Sequence, residues 1–192
     1  NWKSKSDIPK EYTGNCYAGG YALEVKNGRI TWSKNMKTNK ITRPGSKKST
    51  VKTKKLKGSY YKIISKSKRT VQYVKPVKKN IISVTIPSSI KLNGKRYKVT
   101  GIAANAFKNC KKLKKVTIGI NVNSIGKRAF YGCSKLQTIK VKTSKLTGSR
   151  VGKQAFKGLN KKAVIKVPKK QLKAYKRLFR VKGVGKKVTI KK

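Results

Sequence analysis

The sequence predicts an α/β (α+β) solenoid. Short parallel strands line its concave face, and a small N-terminal region rich in β-hairpins precedes it. Three observations carry this expectation. First, the pattern Ile102-x3-Ala106-Phe107-x2-Cys110-x2-Leu113-x2-Val116-x-Ile118 recurs as Ile125-x3-Ala129-Phe130-x2-Cys133-x2-Leu136-x2-Ile139-x-Val141, with every anchor displaced by 23 residues. A fixed period of this length marks units that each cover the apolar face of the next. Second, each unit closes on an apolar-polar-apolar triplet, Val116-Thr117-Ile118 in the first, which makes a short half-buried strand. Third, only 36% of the 192 residues are apolar, which suits a thin, regular core better than a broad one.

In chain order, residues 1–20 are polar and Gly-punctuated and read as a loosely structured lead-in. Tyr21–Lys26 and Arg29–Trp32 flank Asn27-Gly28, a hairpin signal because a type I′ turn needs positive φ at both central positions. Residues 33–58 hold few apolar anchors and read as a loop or flexible linker. Tyr60–Ile64 and Val71–Val74 are rich in aromatic and β-branched residues and predict a second hairpin. Residues 1–79 are therefore expected to be a β-rich cap, and residues 80–192 the repeat array.

The array starts with a half unit, Ile81-x2-Val84-x-Ile86, offset by 32 from Leu113-x2-Val116-x-Ile118. The nine extra residues fall at Ile90–Val99, where Asn93-Gly94 predicts an inserted hairpin. A looser copy, Val151-x3-Ala155-Phe156, then Ile165-x-Val167, puts Leu159 in place of Cys and Lys162 in place of Leu, so Ala163 or a register change must fill the gap. After Pro168, the residues Leu172, Tyr175, Leu178 and Phe179 share a helical face. Phe179, Val188 and Ile190 lie 23 residues after Phe156, Ile165 and Val167. Residues 169–192 thus read as a helix-strand terminal unit. Within each unit, Ala-Phe suits a short helix or turn on the side opposite the strand, with Gly132 and Gly158 at its end. The expected repeat core is Ile102, Phe107, Cys110, Leu113, Ile125, Phe130, Cys133, Leu136 and Phe156, with the Phe rings forming an internal ladder.

The motif Ile-Gly-x2-Ala-Phe-x-Gly-Cys-x2-Leu-x2-Ile-x-Val, complete in residues 125–141, resembles the BspA-like class of leucine-rich repeats. The resemblance covers roughly residues 80–168 and is expected to extend to Lys192. It implies a right-handed leucine-rich-repeat coil and a bacterial protein, secreted or attached to the cell surface, that binds host proteins, matrix or other cells. It brings no catalytic residues.

Charge and chemistry narrow the function. Fifty-four Lys and Arg face three acids, a net charge of +51. The acids are Asp7, Glu11 and Glu24, so no carboxylate side chain follows Glu24. Such a field attracts polyanions in a salt-dependent way, and nucleic acid, anionic wall polymers, acidic polysaccharides and anionic lipid heads are all candidates. The chain has no His, so the usual general base and metal ligand are missing. No enzymatic activity, cofactor or metal is expected. Cys110 and Cys133 occupy equivalent inward positions and read as free, buried packing groups; Cys16 reads as a free thiol or a crosslinking site. Outward strand positions, Thr85, Lys115, Thr117, Thr138, Lys140 and Lys166, are the candidate ligand-binding set, with Lys as point charge and Thr as hydrogen-bonding hydroxyl. Tyr60, Tyr61, Tyr73 and Tyr97 could stack nucleic-acid bases, though no specific nucleic-acid motif is present. No apolar run reaches the ~20 residues of a transmembrane helix. With neither initiator Met nor signal segment, the chain reads as a mature form or a piece of a longer protein. The expected role is extracellular adhesion to a protein or glycan on a host or neighbouring cell; the alternative is electrostatic polyanion binding.

Overall fold

The computed structural model describes residues 14–18, 21–26, 29–35, 40–42 and 53–192. The chain divides into two units, Asn1–Thr50 and Val51–Lys192. In the first, β1 (Gly14–Ala18), β2 (Tyr21–Lys26), β3 (Arg29–Asn35) and β4 (Lys40–Thr42) form an antiparallel meander. Leu23 and Val25 are buried and Glu24 between them is exposed, the alternation of a strand with one covered face. Lys26 pairs with Arg29, which leaves a two-residue connection at Asn27-Gly28; that turn lies outside the described residues, as do Asp7 and Glu11. The lead-in expected over residues 1–20 instead contains β1, whose backbone groups pair with the edge of β2.

The stretch 33–58, expected as a linker, also carries strands: the end of β3, β4, and in the second unit β5 (Thr53–Leu56). Both β4 and β5 are sheet edges. In β5, Lys54 and Lys55 are exposed; such charge guards an edge against further pairing and gives the strand a linker's composition.

In the second unit, β5 pairs with β6 (Ser59–Ser65), and β6 with β7 (Thr70–Pro76), all antiparallel. The β6–β7 pair is the hairpin expected from its aromatic and β-branched residues. From β7 the sheet turns parallel, running through β10 (Lys95–Ile102) to β12 (Ser124–Ile125), with Val151 bridged to Ile125 beyond. The strand β9 (Ser89–Leu92) pairs antiparallel with β10. Asn93 and Gly94 between them take φ of 48° and 73°, the left-handed pair of a type I′ turn, so the insertion is a hairpin as predicted.

A second, wholly parallel sheet holds five strands: β8 (Ser83–Ile86), β11 (Lys115–Ile118), β13 (Thr138–Val141), β14 (Val164–Lys166) and β15 (Thr189–Lys191). Val84, Val116, Ile139, Ile165 and Ile190 form one inward row across them. The last step corrects the sequence alignment: Ile190, not Val188, pairs with Ile165. The helix α1 (Leu172–Val181) and the turn after it take up two more residues than the turns they replace. An even slip keeps the same side chains inward. Tyr175 and Phe179 are the buried residues of α1, with Leu172 and Leu178 packed beside them, the face predicted for it.

The Ala-Phe segments are turns. Asn105, Arg128 and Gln154, two residues before each Phe, have φ of 55° to 58°, a left-handed conformation that interrupts any α-helix. The N–H groups of Asn105 and Arg128, and those of the Phe residues, bond to the next coil. Asn105 N–H donates to the Lys127 carbonyl at 3.0 Å, Phe107 to Ala129 at 2.7 Å, and Phe130 to Ala155 at 2.8 Å. A helix would need those donors for its own i−4 carbonyls. The chain uses them to stitch coil to coil. Gly132 and Gly158 do hold positive φ, 70° and 76°, and Asn109 (φ 58°) takes that role in the first full unit. In the looser copy, Ala163 fills the Leu place: it is buried, and its N–H bonds the Asn160 carbonyl as Leu136 bonds Cys133.

The core runs as one aromatic column. Ring centroids lie 5.1 Å apart for Tyr73–Phe107, 5.0 Å for Phe107–Phe130 and 5.4 Å for Phe130–Phe156, all three pairs stacked. Tyr61 continues it edge-on at one end, and Phe179 then Tyr175 at the other. Ile102, Cys110, Leu113, Ile125, Cys133 and Leu136 are buried around it.

Candidate functional site

The outward side chains of the parallel sheet form two rows, because successive residues of a strand point to opposite faces. One row reads Ser83, Lys115, Thr138, Val164, Thr189. The other reads Thr85, Thr117, Lys140, Lys166, Lys191. Strand pairing sets neighbours within a row about 4.8 Å apart. Thr85, Lys115, Lys140, Lys166 and Lys191 are exposed; Thr117 and Thr138 are half-buried. The six positions singled out from the sequence therefore lie on one face, and the sheet adds Ser83, Val164, Thr189 and Lys191. Lys191 went unnoticed because the unslipped alignment gives the last strand Thr189 alone as an outward residue. The pairing brings Lys140, Lys166 and Lys191 side by side on three adjacent strands. With each strand backed by a buried Ile or Val, the rows sit on a rigid support.

The remaining chemistry lies inside. Cys110 and Cys133 are free and buried. The Cys133 thiol donates to the Phe107 carbonyl at 3.1 Å. Burial, with a smaller contribution from Cys110, pushes Cys133 up to about 12; burial also raises Cys110. These thiols are poor nucleophiles at neutral pH. With Cys16 replaced by Ser, the folded protein is expected to show no reaction with Ellman's reagent at pH 8, and two thiols once denatured. The unfolded thiol titrates near 9 and folded Cys133 near 12. Cys133 therefore leaves stability untouched below about pH 9 and erodes it progressively between pH 9 and 12; chemical denaturation across that window measures the loss. The Cys16 side chain lies outside the described residues.

Of the aromatics considered for base stacking, Tyr61, Tyr73 and Tyr97 are buried. The Tyr73 hydroxyl accepts a hydrogen bond from Ser59 Oγ at 3.2 Å. Tyr60 is half-buried, with the Lys75 ammonium 5.5 Å from its ring centroid. Three of the four tyrosines considered for stacking are therefore core residues, and the two outward rows carry no aromatic side chain. Tyr175 also works structurally: its hydroxyl donates to the Thr143 carbonyl at 3.1 Å and accepts the Leu146 N–H at 3.0 Å, which ties the loop after β13 to α1. Among the described residues no group of three His, Cys, Asp or Glu could hold a metal, and no helix is long and apolar enough to cross a membrane.

Residues 77–192 match the BspA type leucine rich repeat region, in 6 copies. No curated protein matches the chain. Solved structures similar to it include the following three. A leucine rich cell surface protein from Faecalibacterium prausnitzii A2-165 shares 20% identity at a TM-score of 0.47, over 62% of this chain and 37% of that one. A leucine-rich repeat protein from Bacteroides ovatus ATCC 8483 shares 23% at 0.44, over 58% and 36%. Another from Bacteroides capillosus ATCC 29799 shares 21% at 0.48, over 72% and 97%. The chain thus spans little more than a third of the length of the first two. The stacked coils with their buried Phe column, the parallel five-stranded sheet and a motif match over more than half of the sequence lead to one conclusion: the chain belongs to the BspA-type leucine-rich-repeat family.

Proposed function

We propose that the chain is a non-catalytic binding module of a bacterial surface or secreted protein. Residues 80–192 wind as a right-handed solenoid, and the outer, concave face of the parallel sheet carries adhesion to a protein or glycan partner. The observation that carries this reading is the pair of outward rows built on five rigid strands, Thr and Lys in register from Thr85 to Lys191. Curved repeat proteins bind through such faces, and family membership supports the same role.

A second reading has its own support. Lys140, Lys166 and Lys191 stand on consecutive strands, in a chain with no acidic side chain after Glu24. A row of unneutralised ammonium groups suits a linear polyanion such as a sulfated glycan, an anionic wall polymer or nucleic acid.

Binding to epithelial monolayers, heparin and DNA across a salt series separates the two. Cell binding that survives ~0.5 M salt and is lost at least tenfold in Thr117→Arg/Thr138→Arg supports shape recognition by the sheet face. Binding that collapses at that salt for all three probes, and weakens in Lys140→Ala/Lys166→Ala/Lys191→Ala, supports the polyanion reading. Cell binding indifferent to both sets of substitutions removes the sheet face from consideration.

A further inference from the structure

The two parallel ladders end differently at their first coil. The ladder behind the Phe column is continued by β7, β6 and β5. The other stops at β8, whose one strand partner among the described residues is β11. Beside β8 is a cleft of about 750 Å³ where the next strand of the sheet would lie. It is walled by Leu56, Ile81, Val84 and Ile90. Val84 is half-buried, while its row mates Val116, Ile139 and Ile165 are 1%, 0% and 0% exposed. The core is therefore open at this one step of the inward row. Lys57, Lys91 and Arg96 also line the cleft.

We propose that the β8 edge takes up an extended peptide segment of another protein, in which apolar side chains alternate with acidic ones. An unpaired strand edge offers alternating backbone N–H and C=O groups, which a peptide strand satisfies and a glycan or nucleic acid does not. The apolar side chains of the added strand cover Val84 and fill the cleft as the next coil would. Its carboxylates meet Lys57, Lys91 and Arg96. A second copy of this chain is a poor occupant: at +51 each, two copies repel. The surface meets the outward rows only at their first step, where Ser83 and Thr85 also line the cleft; its apolar wall is the edge and inward side of the sheet.

A fluorescein-labelled eight-residue peptide alternating valine with glutamate is the probe, used with the full chain. Val84→Lys is the informative variant: it blocks the cleft while adding positive charge, so strand addition predicts at least a tenfold loss of affinity and pure charge attraction predicts none. The same peptide N-methylated at alternate residues is expected to bind at least tenfold more weakly. On the unaltered chain the peptide is expected to slow amide exchange within residues 83–86, a readout that stands even if Val84→Lys fails to fold. Equal binding of the parent and N-methylated peptides, unchanged affinity in folded Val84→Lys, or unchanged exchange at 83–86 would each overturn the proposal. Dimerisation by sedimentation that protects the same amides without peptide would overturn it too, assigning the edge to a second copy.

Discussion

Phe130→Ala is expected to destabilise the second unit by about 3–5 kcal/mol, the usual cost of truncating a buried Phe. Phe130 is fully buried and stacks on Phe107 at 5.0 Å and on Phe156 at 5.4 Å. Deleting it breaks the column in the middle, leaving Phe107 with Tyr73 alone and Phe156 with Phe179 alone, and the coils cannot close the gap. Their spacing is held by inter-coil hydrogen bonds such as Phe130 N–H to the Ala155 carbonyl. For a domain of this size the loss corresponds to a fall in Tm of roughly 10 °C or more. Phe130→Leu, which keeps much of the volume, is expected to cost well under half as much. A Phe130→Ala protein that melts within about 2 °C of the parent would show that the column does not carry the stability assigned to it.

Gly126→Ala is expected to cost about 1–3 kcal/mol through overpacking, with coil separation as the structural consequence. A Cβ at Gly126 would run into the backbone N of Ala104, with the Ala104 Cα at 2.6 Å and the Ala103 carbonyl carbon at 2.7 Å. Those are backbone atoms of the adjacent coil, so no side chain can swing aside. Gly126 N–H also bonds the Ile102 carbonyl at 2.8 Å, which fixes the approach from which the added methyl would have to retreat. Gly148→Ala is the control: nothing lies within 4 Å of its Cβ position, and the change is expected to be neutral or slightly stabilising. Thermal melts of both variants decide the matter. If the two changes have equal effects, close coil contact is not what requires glycine at 126.

Much of the architecture was legible because the repeat is strict where the core is deepest. Phe107, Phe130 and Phe156 sit at the same step of successive coils, and an aromatic ring at each step keeps the column filled at a nearly constant spacing. The inward row Val84, Val116, Ile139 and Ile165 follows from the same spacing, even across the inserted β9–β10 hairpin. The edge strands β1, β4 and β5 were not legible. What makes them strands is a neighbour's unpaired backbone, which local pattern does not show. The tyrosines misled for a related reason: Tyr61 and Tyr73 extend the column beyond the last Phe, so their aromatic signal belonged to packing.

The candidate face was legible position by position, since alternation alone tells outward from inward. Its continuity was not. Lys191 joins Lys140 and Lys166 only because α1 and its exit turn displace the last strand by two residues.

By itself the sequence determined the repeat, its anchors, the parallel strands and the absence of side-chain acids beyond Glu24. Local periodicity and composition are properties of the chain alone. Only the tertiary structure decided that the Ala-Phe segments are turns, that Tyr61, Tyr73 and Tyr97 are core, and that β8 has one strand partner among the described residues. Each of these depends on where backbone donors and acceptors find partners in a neighbouring coil, and a neighbour 23 or more residues away lies beyond the reach of local pattern.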